Sequence, residues 1–149
     1  MLVVPDFQSD GNLPPGIHWA EWGEIESRFG QTPHRRNLLN GFRDGLVQLR
    51  CAGCRAAYVD GSFVTSKEQP GDFDACWDVT DVDPDKIDPV FFDFDDGREA
   101  QKAKFGGEFF PAHLPEGVSG KTFLEFFQID KNTGDPKGIV GVDLGRWKS

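Results

Sequence analysis

The chain has 149 residues, of which 38% are hydrophobic and 28% charged, and it contains 14 Phe and four Trp. This composition is too apolar for a disordered protein and favours one folded domain over residues 1–149. The net charge of −9 leaves no overall positive field to attract nucleic acid or an anionic membrane. Three cysteines are few for a disulfide framework and no apolar run could span a bilayer, so we expect a cytoplasmic protein with no membrane partner.

The N-terminal third predicts two helices after an irregular segment over residues 1–16. The first is a short amphipathic helix ending at Gly30, whose apolar face would be Trp19, Trp22, Ile25 and Phe29. The second begins at Thr32-Pro33, which is typical of an N-cap and first helical position. Its apolar stripe would be Leu38, Leu39, Phe42, Leu46 and Leu49. The basic cluster of residues 34–36 is expected to form an exposed first turn.

The rest of the chain predicts four strands and one helix. The strands are AAYVDGSFV (56–64, broken at the glycine), DFDACWDV (72–79), TFLEFFQID (122–130) and IVGVDLG (139–145). A helix over residues 97–104 would separate the second strand from the third, after an acidic loop over residues 79–96. We therefore predict an α+β fold, with helices packed on a small, mixed and largely antiparallel sheet.

The strand that starts at Asp72 carries two aspartates with the spacing Asp-x-Asp. Residues two apart on a strand point the same way, so the carboxylates of Asp72 and Asp74 would project side by side and repel each other. A cation between them removes that conflict. Mg²⁺ favours one or two carboxylates together with substrate phosphates and water, so this pair suits a site that binds a nucleoside triphosphate with Mg²⁺ or Mn²⁺.

The strand before it ends at Gly61-Ser62, which supplies the second half of such a site. Glycine lets a phosphate approach the backbone closely, and the following amides and the Ser62 hydroxyl can donate to its oxygens. Lys67 lies in the loop between the two motifs, where its charge can meet a phosphate. Lys102 and Lys104 are expected on the solvated face of their helix.

Gly61-Ser62, nine further residues and then Asp72-Phe73-Asp74 resemble the signature of the DNA polymerase β-like nucleotidyltransferase superfamily. The resemblance is greatest to its minimal nucleotidyltransferases. The strings GSFVTSKEQPGDFDACWD, QKAKFGGEFFP and TFLEFFQIDK are similar to those of uncharacterised bacterial proteins assigned to that superfamily. The resemblance covers residues 55–130 and implies a nucleotidyltransferase-like fold.

The resemblance also implies a third carboxylate on the next strand, which completes two metal sites. The candidate is Glu125, the one acidic residue in FLEFF, and its alternative role is that of an outward-facing residue on a half-exposed sheet. Asp93 and Asp95 compete for the position.

Two functions are consistent with these features. The first is metal-dependent transfer of a nucleoside monophosphate to an acceptor hydroxyl, and a protein side chain, a small molecule and an RNA end stay open as acceptors. The resemblance implies that such a small protein can act in a toxin–antitoxin pair, with a toxin-like protein as its partner. The second is a non-catalytic interaction module on the same fold that binds a partner protein.

Overall fold

The computed structural model describes residues 4–67, 70–117 and 119–147, and elements and contacts below refer to these ranges. The described helices are α1 (Trp22–Phe29), α2 (Pro33–Cys51), α3 (Asp95–Phe105) and α4 (Phe123–Phe127). The described strands are β1 (Gly16–Trp19), β2 (Ala56–Asp60), β3 (Phe73–Trp77), β4 (Gly107–Pro111) and β5 (Gly138–Asp143). Two short 3₁₀ turns lie at Ser62–Val64 and Pro89–Phe92.

The five strands form one open sheet in the order β1-β5-β2-β3-β4. Strand β2 pairs antiparallel with both β3 and β5, whereas β1 pairs parallel with β5 and β4 pairs parallel with β3. The predicted α+β class and mixed sheet are confirmed. The sheet is not largely antiparallel, because α3 returns the chain so that β4 runs parallel to β3 at the edge.

Helices α1 and α2 cover one face of the sheet and bury the main core with it. The side chain of Thr32 caps α2 by accepting from the Arg35 amide, and the predicted apolar stripe of this helix is buried. Two glycines allow α2 to pack closely. A Cβ on Gly41 would lie 1.6 Å from the carbonyl oxygen of Phe105, and one on Gly45 would lie 2.3 Å from the Phe109 ring.

The opposite face of the sheet, which we call the open face, carries a smaller apolar cluster. Its members come from the strands, α4 and the segment between β4 and β5, and they include Tyr58, Phe110, Phe127 and Ile139. The face is therefore covered only in part. No helix in the described ranges has the length and apolar character to cross a membrane.

Three predicted elements differ from the structure. Trp19 belongs to β1 rather than to the first helix, and the run GEFFP forms the unpredicted strand β4. The predicted strand TFLEFFQID is wrong, because residues 123–127 form α4. A capping box explains this helix: the Thr122 side chain accepts from the Glu125 amide, and the Glu125 side chain accepts from the Thr122 amide.

Candidate functional site

Three neighbouring strands each place one carboxylate in a line across the open face. Asp60 on β2 is the register partner of Asp74 on β3, and Asp74 is the register partner of Glu108 on β4. Such partners point to the same side of a sheet, about 5 Å apart. Asp72 lies two residues before Asp74, just before β3 begins, and so beside this line. We call Asp60, Asp72, Asp74 and Glu108 the carboxylate row.

The Gly-Ser motif lies directly against this row. Gly61 follows β2 with a φ of +83°, in the left-handed region that glycine adopts at little cost. A Cβ at this position would lie 2.9 Å from Oδ2 of Asp74, so a larger residue would push the carboxylate away. The structure therefore brings Gly61 and Asp74 into contact. The side chain of Ser62 lies outside the described part of the protein.

Asp72 and Asp74 both have raised pKa values, and the nearby cations Lys102 and Lys131 offset this only in part. Burial raises the pKa of Asp74 to about 7, and the negative charges of Asp72, Glu108 and Asp60 act in the same direction. Burial and the charge of Glu108 also raise the pKa of Asp72. Among the described residues, neither carboxylate takes part in a hydrogen bond or an ion pair.

The two ends of the row, in contrast, are paired with cations. Glu108 is 8% exposed, and its carboxylate lies 2.7 Å from Arg98 Nε and 3.0 Å from Lys102 Nζ. Both cations come from α3 and contact the same carboxylate. Asp60 Oδ1 lies 3.1 Å from Lys137 Nζ, in an ion pair. Burial nevertheless raises the pKa of Asp60.

Helix α3 is fixed against β4 by a buried glutamine. Gln101 is fully buried, its Nε2 donates to the Val90 carbonyl at 3.0 Å, and its Oε1 accepts from the Phe109 amide at 2.7 Å. Because Gln101 lies between Arg98 and Lys102 in sequence, these hydrogen bonds hold both cations over the start of β4. Lys102 is exposed, as expected, and its ammonium also pairs with Glu108.

Arg35 of α2 binds backbone carbonyls of the loop that follows the Gly-Ser motif. This side chain is 6% exposed and donates to the carbonyls of Phe63 at 2.6 Å, Thr65 at 2.9 Å, and Lys67. The prediction that residues 34–36 form an exposed first turn is wrong for Arg35. The side chain of Lys67 is exposed on this loop, where it remains a candidate to meet a phosphate.

Glu125 is not brought to the carboxylate row by an element of the sheet. It lies in α4, is exposed, and accepts from the Thr122 amide at 3.0 Å, and hydrogen bonds from Thr122 lower its pKa. It is not among the groups that raise the pKa of Asp72 or Asp74, whereas Glu108 is. Glu108 therefore occupies the position on the neighbouring strand that the sequence assigned to Glu125.

The alternative candidates Asp93 and Asp95 are not in a strand either. Asp93 follows the second 3₁₀ turn and accepts from the Asp95 amide at 3.2 Å, and Asp95 begins α3. A sequence signal for Glu108 does exist. Gly106 ends α3 in the left-handed conformation with φ of +78°, and Glu108 is the one acidic residue in the apolar run that follows this stop.

Asp72 and Asp74 are half-buried, whereas Asp60 and Glu108 are buried. A cavity of about 620 Å³ lies between α1 and α2, and another of about 770 Å³ lies beside the ends of β1 and β5, and the carboxylate row lines neither. In the described ranges no three His, Cys, Asp or Glu side chains form a ready-made metal site. A cation would therefore be held by fewer protein ligands, or after Glu108 leaves its cations.

Residues 5–143 match the model of a family of unknown function, DUF6932. The chain belongs to this family. The match extends over every strand and helix described above and includes the whole carboxylate row and Gly61. No curated protein and no solved structure matches the chain. Membership of DUF6932 assigns no activity to the chain.

Proposed function

We propose that this DUF6932 protein transfers a nucleoside monophosphate from a nucleoside triphosphate to an acceptor hydroxyl, with Mg²⁺ or Mn²⁺ bound at the carboxylate row. The observation that carries the proposal is the pair Asp72 and Asp74, with Glu108 on the neighbouring strand and Gly61 in contact with Asp74. Together these features correspond to the two halves of the nucleotidyltransferase signature, placed on one face of a mixed sheet.

The residues of the row fit a divalent cation. Two adjacent carboxylates whose charges are offset only in part are costly in a buried setting, and a metal ion would offset that cost. Asp72 and Asp74 would bind the metal, with Glu108 in the role that the sequence assigned to Glu125. Bound there, the metal would neutralise charge on the phosphates and favour ionisation of the attacking hydroxyl.

The protein's own groups would position the triphosphate. The backbone amides after Gly61 would donate to phosphate oxygens, and Lys67 lies exposed on the same loop. Arg98 and Lys102 would exchange part of their contact with Glu108 for the phosphates, to which a guanidinium and an ammonium both bind well. These cations would then stabilise the charge on the leaving pyrophosphate.

In the reaction the acceptor oxygen forms a bond to the α-phosphorus while the bond from that phosphorus to the bridging oxygen breaks. The bridging oxygen leaves with the electron pair as part of pyrophosphate, and the acceptor proton passes to a carboxylate of the row or to water. No oxidant or reductant is needed. A protein hydroxyl fits this chemistry as well as a ribose hydroxyl, so a toxin-like protein is one candidate acceptor.

A second function is favoured by one specific observation. Glu108 is already neutralised by Arg98 and Lys102, as expected if this carboxylate has a structural role and binds no metal. On that basis the protein would be a non-catalytic module whose exposed apolar side chains, among them Phe94 and Phe126, contact a partner protein.

Label transfer separates the two functions. The protein is incubated with each α-³²P-labelled nucleoside triphosphate and Mg²⁺ or Mn²⁺ in a cell extract, and label is counted in the protein and RNA fractions. Asp74→Asn and Glu108→Gln should each reduce transfer by at least about 100-fold, because each removes a carboxylate that holds the metal. Glu125→Gln is the matched control and should retain transfer.

The outcome distinguishes the roles of the two glutamates. Loss of transfer in Glu125→Gln with normal transfer in Glu108→Gln would contradict the assignment made from the structure. An absence of label from the folded parent protein in every fraction would contradict the enzyme and favour the interaction module.

A further inference from the structure

Next to the carboxylate row, the open face carries a stack of phenylalanine rings. Phe110 lies two residues after Glu108 on β4, so both side chains are on the same face and about 7 Å apart. The ring of Phe94 is nearly parallel to that of Phe110, at 2° and a centroid distance of 6.3 Å. The ring of Phe123 lies on Phe110 at 4.5 Å and 20°. We call Phe94, Phe110 and Phe123 the phenylalanine stack.

Arg98 connects this stack to the carboxylate row. Its Nε lies 2.7 Å from Oε2 of Glu108, and its Cζ lies over the Phe110 ring, 5.1 Å from the centroid. Carboxylates, a guanidinium and aromatic rings therefore follow one another along the open face. A nucleoside triphosphate presents the matching order, with metal-bound phosphates at one end and a flat aromatic base at the other.

The ring available to a ligand is that of Phe94. It is 42% exposed, whereas Phe110 behind it is 8% exposed. A large apolar ring that a folded protein leaves accessible beside a polar site is a candidate contact surface. The Phe94 ring is nearly parallel to the buried Phe110 ring, so a flat ligand stacked on it would continue that parallel arrangement.

We propose that the exposed ring of Phe94, supported by Phe110, stacks against the base of the nucleoside triphosphate. This inference rests on the proposed function and adds a base-binding subsite to it. Every base has a π-face, so stacking without base-specific hydrogen bonds tolerates all four. We therefore expect the four nucleoside triphosphates to bind with similar affinity, and each more tightly than a triphosphate without a base.

The test compares ATP with inorganic tripolyphosphate, each with Mg²⁺, by isothermal titration calorimetry on the full chain. The parent protein should bind ATP more tightly than tripolyphosphate. Phe94→Ala should weaken ATP binding roughly tenfold, the effect of losing one stacking contact, and leave tripolyphosphate binding unchanged. Phe92→Ala is the matched control: Phe92 is 50% exposed but contacts Trp77 of the main core, and its loss should change neither affinity.

Any other outcome would count against the base subsite, or against the proposed function as a whole. Equal affinity for ATP and tripolyphosphate, unaffected by Phe94→Ala, would overturn the base subsite and leave the proposed function standing. Equal weakening of both ligands by Phe94→Ala would show a structural role for the ring and also overturn it. Failure of the parent protein to bind either ligand would overturn the proposed function together with the subsite, and would leave the exposed ring to a protein partner. Asp74→Asn should lose both ligands, which tests the metal site separately.

Discussion

Asp74 has three carboxylates as neighbours. Asp72 lies two residues before it along the chain, and Asp60 and Glu108 lie opposite it on the adjacent strands. Like charges directly opposite each other on neighbouring strands destabilise a sheet. The fold nevertheless keeps all four carboxylates and neutralises only Asp60 and Glu108 with cations. A local cost of this kind is typical of functional sites, where the arrangement is set by a ligand rather than by stability.

The burial of Asp74 among like charges predicts that Asp74→Asn stabilises the metal-free protein at high pH. Burial and the neighbouring charges raise the pKa of Asp74 to about 7, from a value near 4 in the unfolded chain. Between these two values the folded state binds more protons than the unfolded state, so its stability falls as pH rises through that window. Asparagine removes the effect. The free energy of unfolding of the variant should exceed that of the parent by roughly 3 kcal/mol at pH 8 and match it near pH 4.

Urea unfolding at the two pH values, with EDTA present, measures this difference. Asp135→Asn, at an exposed turn residue, is the control and should not change the pH dependence. A variant at position 74 that is no more stable than the parent at pH 8 would show that the carboxylate has a favourable partner in the folded protein.

Two residues of the candidate site, Gly61 and Asp74, were predicted from the sequence and lie against each other in the structure. Gly61 and Asp74 could be paired because each lies next to a recognisable strand and carries a residue type that the chemistry requires. Glu108 was missed because its strand is short, starts with glycine and directly follows a helix, so its apolar run looked like the end of that helix. The burial of Arg35 depends on loop carbonyls about 30 residues away, which no local pattern reveals.

Among the elements, the loop between β2 and β3 depends on one side chain of α2. Arg35 is buried and donates to three loop carbonyls, and hydrogen bonds from a charged donor are stronger than neutral ones. Arg35→Gln should therefore lower the free energy of unfolding by about 2–4 kcal/mol, because the carbonyls lose their donors in a buried setting. Nucleoside triphosphate binding should weaken as well, since Gly61 and Lys67 flank the same loop.

Arg36 provides the control for this prediction. It is the next residue in α2, is exposed, and donates to the Gly30 carbonyl at 3.2 Å. Arg36→Gln should change stability by less than about 0.5 kcal/mol. Denaturant unfolding and amide hydrogen exchange of residues 63–67 are the measurements. Unchanged exchange in this loop after Arg35→Gln would refute the proposed support.

The sequence pattern of residues 122–130 led to a wrong prediction of secondary structure. The run of aromatic and apolar residues indicated a strand, yet the motif Thr122-x-x-Glu125 is a capping box, which is a helix-start signal readable from sequence. The structure resolves the conflict in favour of the cap, and Phe127 then packs against Phe110 on the open face. Read as a helix start, the capping-box motif argues against the strand that was to carry Glu125.

In the molecule as a whole, the two faces of the sheet have different roles. The face covered by α1 and α2 holds most of the buried apolar residues and supplies stability. The open face carries the carboxylate row and the phenylalanine stack. Stability is thus concentrated on one face, and the other can hold Asp72 and Asp74, whose like charges oppose folding.

This division predicts that a divalent cation stabilises the whole domain. A ligand that binds only the folded state raises the free energy of unfolding by RT ln(1 + [L]/Kd), about 1.4 kcal/mol at ten times Kd. For a chain of this size that corresponds to a rise in Tm of about 3–6 °C. The rise should saturate with Mg²⁺ or Mn²⁺ and be absent from the Asp72→Asn, Asp74→Asn double variant.

Ionic strength has to be matched, because the chain carries a net charge of −9 and any salt screens its self-repulsion. Differential scanning fluorimetry with Mg²⁺, and with NaCl at equal ionic strength, separates the two effects. A general screening effect would raise Tm equally with both salts and in both proteins. Binding at the carboxylate row raises it only with the divalent ion and only in the parent protein. Equal shifts in Tm for the parent and the double variant would show that the ion does not bind at the carboxylate row. The proposed chemical basis for nucleotidyl transfer would then be refuted as well.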